Sequence, residues 1–206
     1  MFTTLVVVMV AAITLTFGVP YGSFFEWAFH RYVMHRTLST PWGEFKYPFE
    51  AHAIVHHRTF YADETYHLKD RKDIATIPME WWNGIALFVL AMPPFLLAGF
   101  ALWICGLTVS GWTVWGTGAV ILATYYGIYE YVHWCMHWPK GRRIENTAWF
   151  RWFNARHILH HRWPKKNFNV VLPLGDWMFG TLMMRAPHRF CQVRGPSVPD
   201  VQPLEI

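Results

Sequence analysis

The sequence predicts an all-α integral membrane protein, a single domain over residues 1–206. It would have three transmembrane helices, or four if the first apolar run divides, and a cytoplasmic helical cap that carries a histidine-rich site for two metal ions. Three observations predict this. Charged residues make up only 15% of the chain, against about 25% in a soluble domain. All 18 Lys and Arg fall in two blocks, seven in 31–72 and eleven in 140–194. Ten of the 12 His gather in four short clusters.

The first apolar run, residues 4–29, carries no Lys or Arg, and the first basic residue is Arg31. A secretory signal would begin with a basic segment and end at a small-residue cleavage site, so this run reads as a transmembrane helix. Gly18 and Pro20 are expected to bend it, the freed backbone groups finding other partners. A second run covers about 84–106 and a third about 112–132. Helices of that length reach about 31–35 Å and span a hydrocarbon core of about 30 Å. Pro93-Pro94 is expected either to kink the second run or to split it into a re-entrant hairpin. Because Lys and Arg are retained on the cytoplasmic side, both basic blocks are expected there, with the N-terminus outside.

The net charge of +5 does not indicate nucleic acid, since the basic residues alternate with long apolar runs and lie where a membrane surface attracts them. The three cysteines, Cys105, Cys135 and Cys191, are odd in number and scattered. They fit neither a disulfide framework nor a cysteine zinc site.

The four clusters are His30 and His35 in HRYVMH; His52, His56 and His57 in HAIVHH; His133 and His137 in HWCMH; and His157, His160 and His161 in HILHH. Residues three or four apart share a helix face, which His133/His137, His52/His56 and His157/His160/His161 satisfy. His30 and His35 are five apart, about 140° around an ideal helix, and converge only if the helix ends or loosens between them. The topology brings all four clusters to the cytoplasmic side. Ten imidazoles exceed what one ion takes, about four to six ligands. Imidazole suits iron, zinc, copper and nickel alike, so spacing does not choose the metal. His67 and His188 stand outside the pattern.

Glu26 lies four residues before His30, and Glu130 three before His133. A carboxylate in an apolar run is costly and usually partnered. Each either supports a metal ligand by accepting its second ring N–H or reaches interfacial water. Trp27, Tyr131, Trp134, Trp138, Trp152 and Trp163 lie near the clusters. They either line an access route for lipid or form the aromatic belt of a membrane protein.

In the order and content of its clusters, from about Glu26 to Thr181, the chain resembles the fatty acid hydroxylase and sterol desaturase superfamily. The segment NVVLPLGDWMFGT, Asn169–Thr181, resembles the family's ending after its last histidine cluster, and HRYVMH is close to the first cluster of carotenoid hydroxylases. The resemblance implies that all ten clustered histidines hold two iron ions. It also implies that the oxidant is dioxygen and that a separate protein, a ferredoxin or a b-type cytochrome with its reductase, supplies electrons. The chain departs from fatty acid 2-hydroxylases in its short HAIVHH cluster and in lacking a fused heme domain.

The expected activity is therefore hydroxylation or desaturation of a lipid C–H bond. The competing class is a membrane protein that binds or transports metal without chemistry, which would need ionisable ligands near the bilayer midplane. A membrane cytochrome would need histidine pairs within the spans, and the second and third runs contain no His.

Overall fold

The computed structural model describes residues 2–41 and 43–186, which are mostly helical. His188 and Cys191 lie outside the described residues. The chain forms two compact units, one of residues up to Phe25 with Met79–Glu130, the other of Glu26–Pro78 and residues from Tyr131 onward.

The first unit is built from α1 (Phe2–Phe29) up to residue 25, α2 (Trp81–Ala91), α3 (Pro93–Ile104) and α4 (Thr108–His137) up to residue 130. Pro20 lies within α1 without ending it. Pro93 and Pro94 lack the N–H groups that would continue the ladder of α2, and the helix is interrupted at Met92. Met92 nevertheless keeps α-helical backbone angles (φ −71°, ψ −28°). Its N–H bonds Phe88 O (3.0 Å), and Leu96 N–H bonds Met92 O (3.1 Å), so the helical path carries across the prolines instead of turning back. At the end of α3, Gly106 (φ +79°) closes the helix. Leu107 N–H bonds Leu102 O and Gly106 N–H bonds Trp103 O, the double bond of a glycine-ended helix.

Glycines mark where these helices meet. Gly18 and Gly22 of α1 lie against Ile121 and Tyr125 of α4, Gly84 against Tyr126, and Gly99 against Trp115 and the backbone of Gly111. Large apolar side chains such as Leu5, Ile13, Phe17, Ile85, Val89, Leu97 and Phe100 point outward. The small residues at these crossings let the helix backbones approach closely. Among the described residues, two stretches are long and apolar enough to cross a membrane, Thr3–Met34 and Arg71–Ala91, each with only 11% of its most apolar window buried, unlike the core helix of a soluble protein. α3 is apolar but only 12 residues long. α4 has the length, at 30 residues, but its Tyr, Trp, Thr and Gly keep it out of that set.

The second unit departs from a purely α-helical expectation. Chain segments His30–Met34 and Glu50–His56 are π-helical. Leu38–Thr40 (β1) and Gly43–Phe45 (β2) form a small antiparallel hairpin with Leu38 opposite Phe45. Pro41 disfavours continued helix there, and Gly43 takes φ +123°, which a side chain disfavours. A 3-10 turn covers Arg71–Thr76. α5 (Ala148–Arg162) starts at Thr147, whose side chain accepts Phe150 N–H, and α6 (Leu174–Met178) is a short final turn.

Candidate metal centre

All ten clustered histidines converge in the second unit, in two groups of five. His30, His35, His52, His57 and His160 form one group; His56, His133, His137, His157 and His161 form the other. Within each group one ring nitrogen per residue lies within 4.8 Å of all the others. Nine of the ten are buried and His35 is half-buried. The groups abut: the rings of His57 and His161, one from each, stack at 4.2 Å between centroids. These buried clusters could bind metal ions. His67 belongs to neither group.

Local backbone explains the sorting. In the α-helices, partners stand four apart: His133 with His137 on α4, and His157 with His161 on α5. In the π segments the ladder runs from i to i+5, as in His57 N–H to His52 O, so residues five apart align. His30 and His35 therefore do converge, because the helix loosens between them. His52 joins His57 instead of His56, so the pairing by fourths expected for this cluster does not hold. Each His-His doublet is consequently divided, His56 from His57 and His160 from His161, with one ring in each group.

The other ring nitrogen shows what the groups are prepared for. Nδ1 of His30 lies 2.6 Å from Phe168 O, that of His56 2.9 Å from Thr76 O, that of His137 2.8 Å from Tyr66 O and that of His160 2.7 Å from Lys166 O. Nδ1 of His161 meets Phe60 O. A carbonyl only accepts, so each of these Nδ1 atoms carries the hydrogen and each Nε2 presents a bare lone pair. Yet Nε2 of His137 and of His161 both face Nε2 of His157, at 3.1 and 3.0 Å. His157 Nε2 can carry only one hydrogen, so at least one contact sets lone pair against lone pair. His30 Nε2 likewise faces His52 Nε2 at 2.8 Å. His56 Nε2 is buried with no hydrogen-bond partner. A cation among these nitrogens satisfies them all, and backbone acceptors behind neutral imidazoles are the usual support of metal-bound histidine.

Electrostatics agree. Burial, followed by the neighbouring rings, holds His52, His57 and His161 far below the usual imidazole range. Burial brings His56 and His160 down to about 4. The rings are thus neutral near pH 7, the form a metal ion requires. The donor set is all imidazole, with no Cys and no carboxylate. It suits iron, zinc, copper or nickel and not the oxygen-seeking Mg²⁺ or Ca²⁺.

The two carboxylates singled out in the sequence are placed differently. Glu26 accepts Asn169 Nδ2 (3.0 Å) and Val170 N–H (2.5 Å). It thus holds the loop whose Phe168 carbonyl takes the ring of His30, one step removed from direct support of the ring. Glu130 belongs to the first unit, where its Oε2 accepts Met79 N–H at 3.4 Å. Trp27 is buried, stacked on Phe179 at 4.1 Å with its Nε1–H on Thr181, which does not suit an access-lining role. Tyr131 is exposed, and Trp134, Trp138, Trp152 and Trp163 are half-buried.

Sequence reasoning missed the carbonyls of Phe60, Tyr66, Thr76, Lys166 and Phe168, which no side-chain pattern signals. It also missed Asn167, Asn169 and Asp176, although Asn169 and Asp176 lie within the NVVLPLGDWMFGT segment. No protein-family model, curated protein or solved structure matches the chain.

Proposed function

We propose that this protein is an integral membrane di-iron oxygenase that hydroxylates or desaturates a C–H bond of a lipid taken from the bilayer. The observation that carries the reading is the pair of abutting, buried, neutral five-imidazole groups. Each would hold one iron, and zinc can replace iron during overexpression, since divalent affinity does not favour Fe²⁺ over Zn²⁺. The resemblance of the four clusters to those of the fatty acid hydroxylase and sterol desaturase superfamily supports it, as does the outward apolar surface of the first unit. In this reading α1, the α2–α3 path and α4 are the three spans, the N-terminus is outside, and the histidines face the cytoplasm.

Bound there, the iron pair supplies dioxygen activation, which amino-acid side chains lack. The chain's part is to keep the imidazoles neutral, to fix five of the rings by backbone acceptors, and to exclude bulk water by burying the rings. Dioxygen and electrons from a ferredoxin or a b-type cytochrome with its reductase complete the reaction.

Iron-loaded protein should contain about two ions per chain, and cells expressing it should gain lipids heavier by one oxygen or lighter by two hydrogens. One ion or fewer under careful iron loading overturns the dinuclear site. Reversible metal exchange with no dioxygen consumption and an unchanged lipid profile would instead mark a metal carrier. A reporter fused after Ile206 that works only outside the membrane would overturn the orientation.

A further inference from the structure

Resting on the metal-binding reading above, we propose that the loop Lys166–Val170, clamped by the buried carboxylates of Asp176 and Glu26, is a positioning device for one metal site only. That site is the one formed by His30, His35, His52, His57 and His160.

The loop offers two of its carbonyls to that group: Phe168 O to His30 Nδ1 (2.6 Å) and Lys166 O to His160 Nδ1 (2.7 Å). Its backbone could not hold this shape unaided. Asn167, between the two carbonyls, has φ +55°, a left-handed conformation that Asn tolerates better than most residues. It is tied by its side chain to Arg156 O and to both backbone groups of Met183. The next three N–H groups all end on carboxylate oxygens. Asp176 Oδ1 accepts Phe168 N–H (2.9 Å) and the Thr181 hydroxyl (2.6 Å), and Oδ2 accepts Asn169 N–H (2.8 Å). Glu26 accepts Val170 N–H (2.5 Å). Asn169 links the two acids, taking Asp176 N–H at Oδ1 and donating Nδ2–H to Glu26. Asp176 is 1% exposed and Glu26 is 8% exposed. Removing a charge-assisted acceptor there strands a buried N–H.

The other group has a separate support. Its acceptors are Phe60 O, Tyr66 O and Thr76 O, from the segment 60–76. Tyr66 is anchored by its own hydroxyl, which donates to Asn154 Oδ1 at 2.7 Å. The two ions are therefore oriented by different pieces of chain, and each piece can be loosened alone.

In Asp176→Asn one oxygen becomes an NH₂ facing an N–H or a hydroxyl, so the Phe168–Asn169 peptides lose a bond and the Phe168 carbonyl loses its aim. Tyr66→Phe removes only the anchor of the second support. The full chain in detergent, stripped with chelator, is titrated anaerobically with Co²⁺ and followed by its visible absorption. Wild type should take two equivalents. Asp176→Asn should keep one and bind the other about 10–100-fold more weakly, the usual effect of losing a partner behind a metal-bound histidine. Tyr66→Phe should also weaken one equivalent, and the double variant both. Placed on His35→Ala, which removes a nitrogen from the first group, Asp176→Asn should leave the remaining tight ion unchanged, whereas Tyr66→Phe should weaken it. If Asp176→Asn does not fold, Glu26→Gln, which keeps one oxygen and the same shape, should give the same pattern at smaller amplitude. Equal weakening of both ions by Asp176→Asn, no weakening in a folded variant, or weakening of the remaining ion on His35→Ala would overturn the proposal. Wild type binding fewer than two equivalents would overturn the dinuclear reading itself, a separate outcome.

Discussion

The two units of this chain spend their interiors in opposite ways. The unit of residues up to Phe25 with Met79–Glu130 contains no Lys, Arg or His. Among its described residues, the buried polar side chains are the hydroxyls Thr14, Ser23 and Ser110. Its helices meet at glycines, and its bulk faces outward. The unit of Glu26–Pro78 with residues from Tyr131 onward holds every Lys, Arg and His, and its interior is built around imidazoles, Asn167, Asn169 and Asp176. An apolar interior is held by dispersion contacts that are individually small and undirected. A buried polar interior needs a matched partner at every group, because each unsatisfied donor or acceptor costs about 1–3 kcal/mol. The second unit therefore needs loops and π segments that place carbonyl acceptors behind its imidazoles.

Changes at the histidine doublets should sharpen that contrast most. His56→Ala and His161→Ala should each remove one ion, His57→Ala and His160→Ala the other, with lipid oxidation abolished in all four. Insertion should be untouched, since the apolar runs keep their length. Iron content and product formation, measured on the same preparations, check this. Any of the four with full iron and full turnover would break the two-group division.

Acid should come next. His56 and His160 titrate at about 4 in the fold, and near 6.5 when unfolded. Below pH 6.5 the unfolded chain binds protons that the fold does not, so stability falls as pH falls. The effect is on the order of 3 kcal/mol per ring once pH reaches about 4. Denaturant unfolding of metal-free protein between pH 7.5 and 4.5 should show the loss concentrated below pH 6.5. Unfolding that grows easier from pH 6.5 upward would reverse the sign and refute buried neutral rings.

Leu97 is 70% exposed on α3. In water, Leu97→Lys would change stability by no more than about 0.5 kcal/mol. In lipid it should cost about 2.5–3.5 kcal/mol of insertion, visible as a reduced membrane-inserted fraction. An unchanged fraction would place that face in water.

Gly99→Ala tests the glycine seam. Its added carbon would collide with Trp115 Nε1 and come within 2.8 Å of Gly111 O. Overpacking of this kind costs about 1–3 kcal/mol, so the melting temperature should drop while iron content per folded chain stays the same. His67→Ala should do least. The residue is outside both groups, and turnover and iron content should stay near wild type.

The amino-acid order by itself determined where the apolar helices run, which ten histidines gather, and that Pro93-Pro94 interrupts the second run. Those features are written in residue type and spacing: a run without charge, an imidazole, a missing N–H. Sequence also left a condition on His30 and His35, which five-residue spacing separates in an α-helix and which a π-helical segment brings together. Only the tertiary structure decided how the doublets divide between two groups, since that depends on whether a turn closes at four residues or five. It alone supplied the acceptors behind the rings, because every residue has a carbonyl and only the fold aims one. The placement of Glu26 follows the same logic. Four residues from His30 it looks like direct support for that ring, but once the chain returns with Asn169 and Val170, their N–H groups claim its oxygens. A buried carboxylate takes the donors that three-dimensional packing brings to it, and linear distance along the chain does not count them.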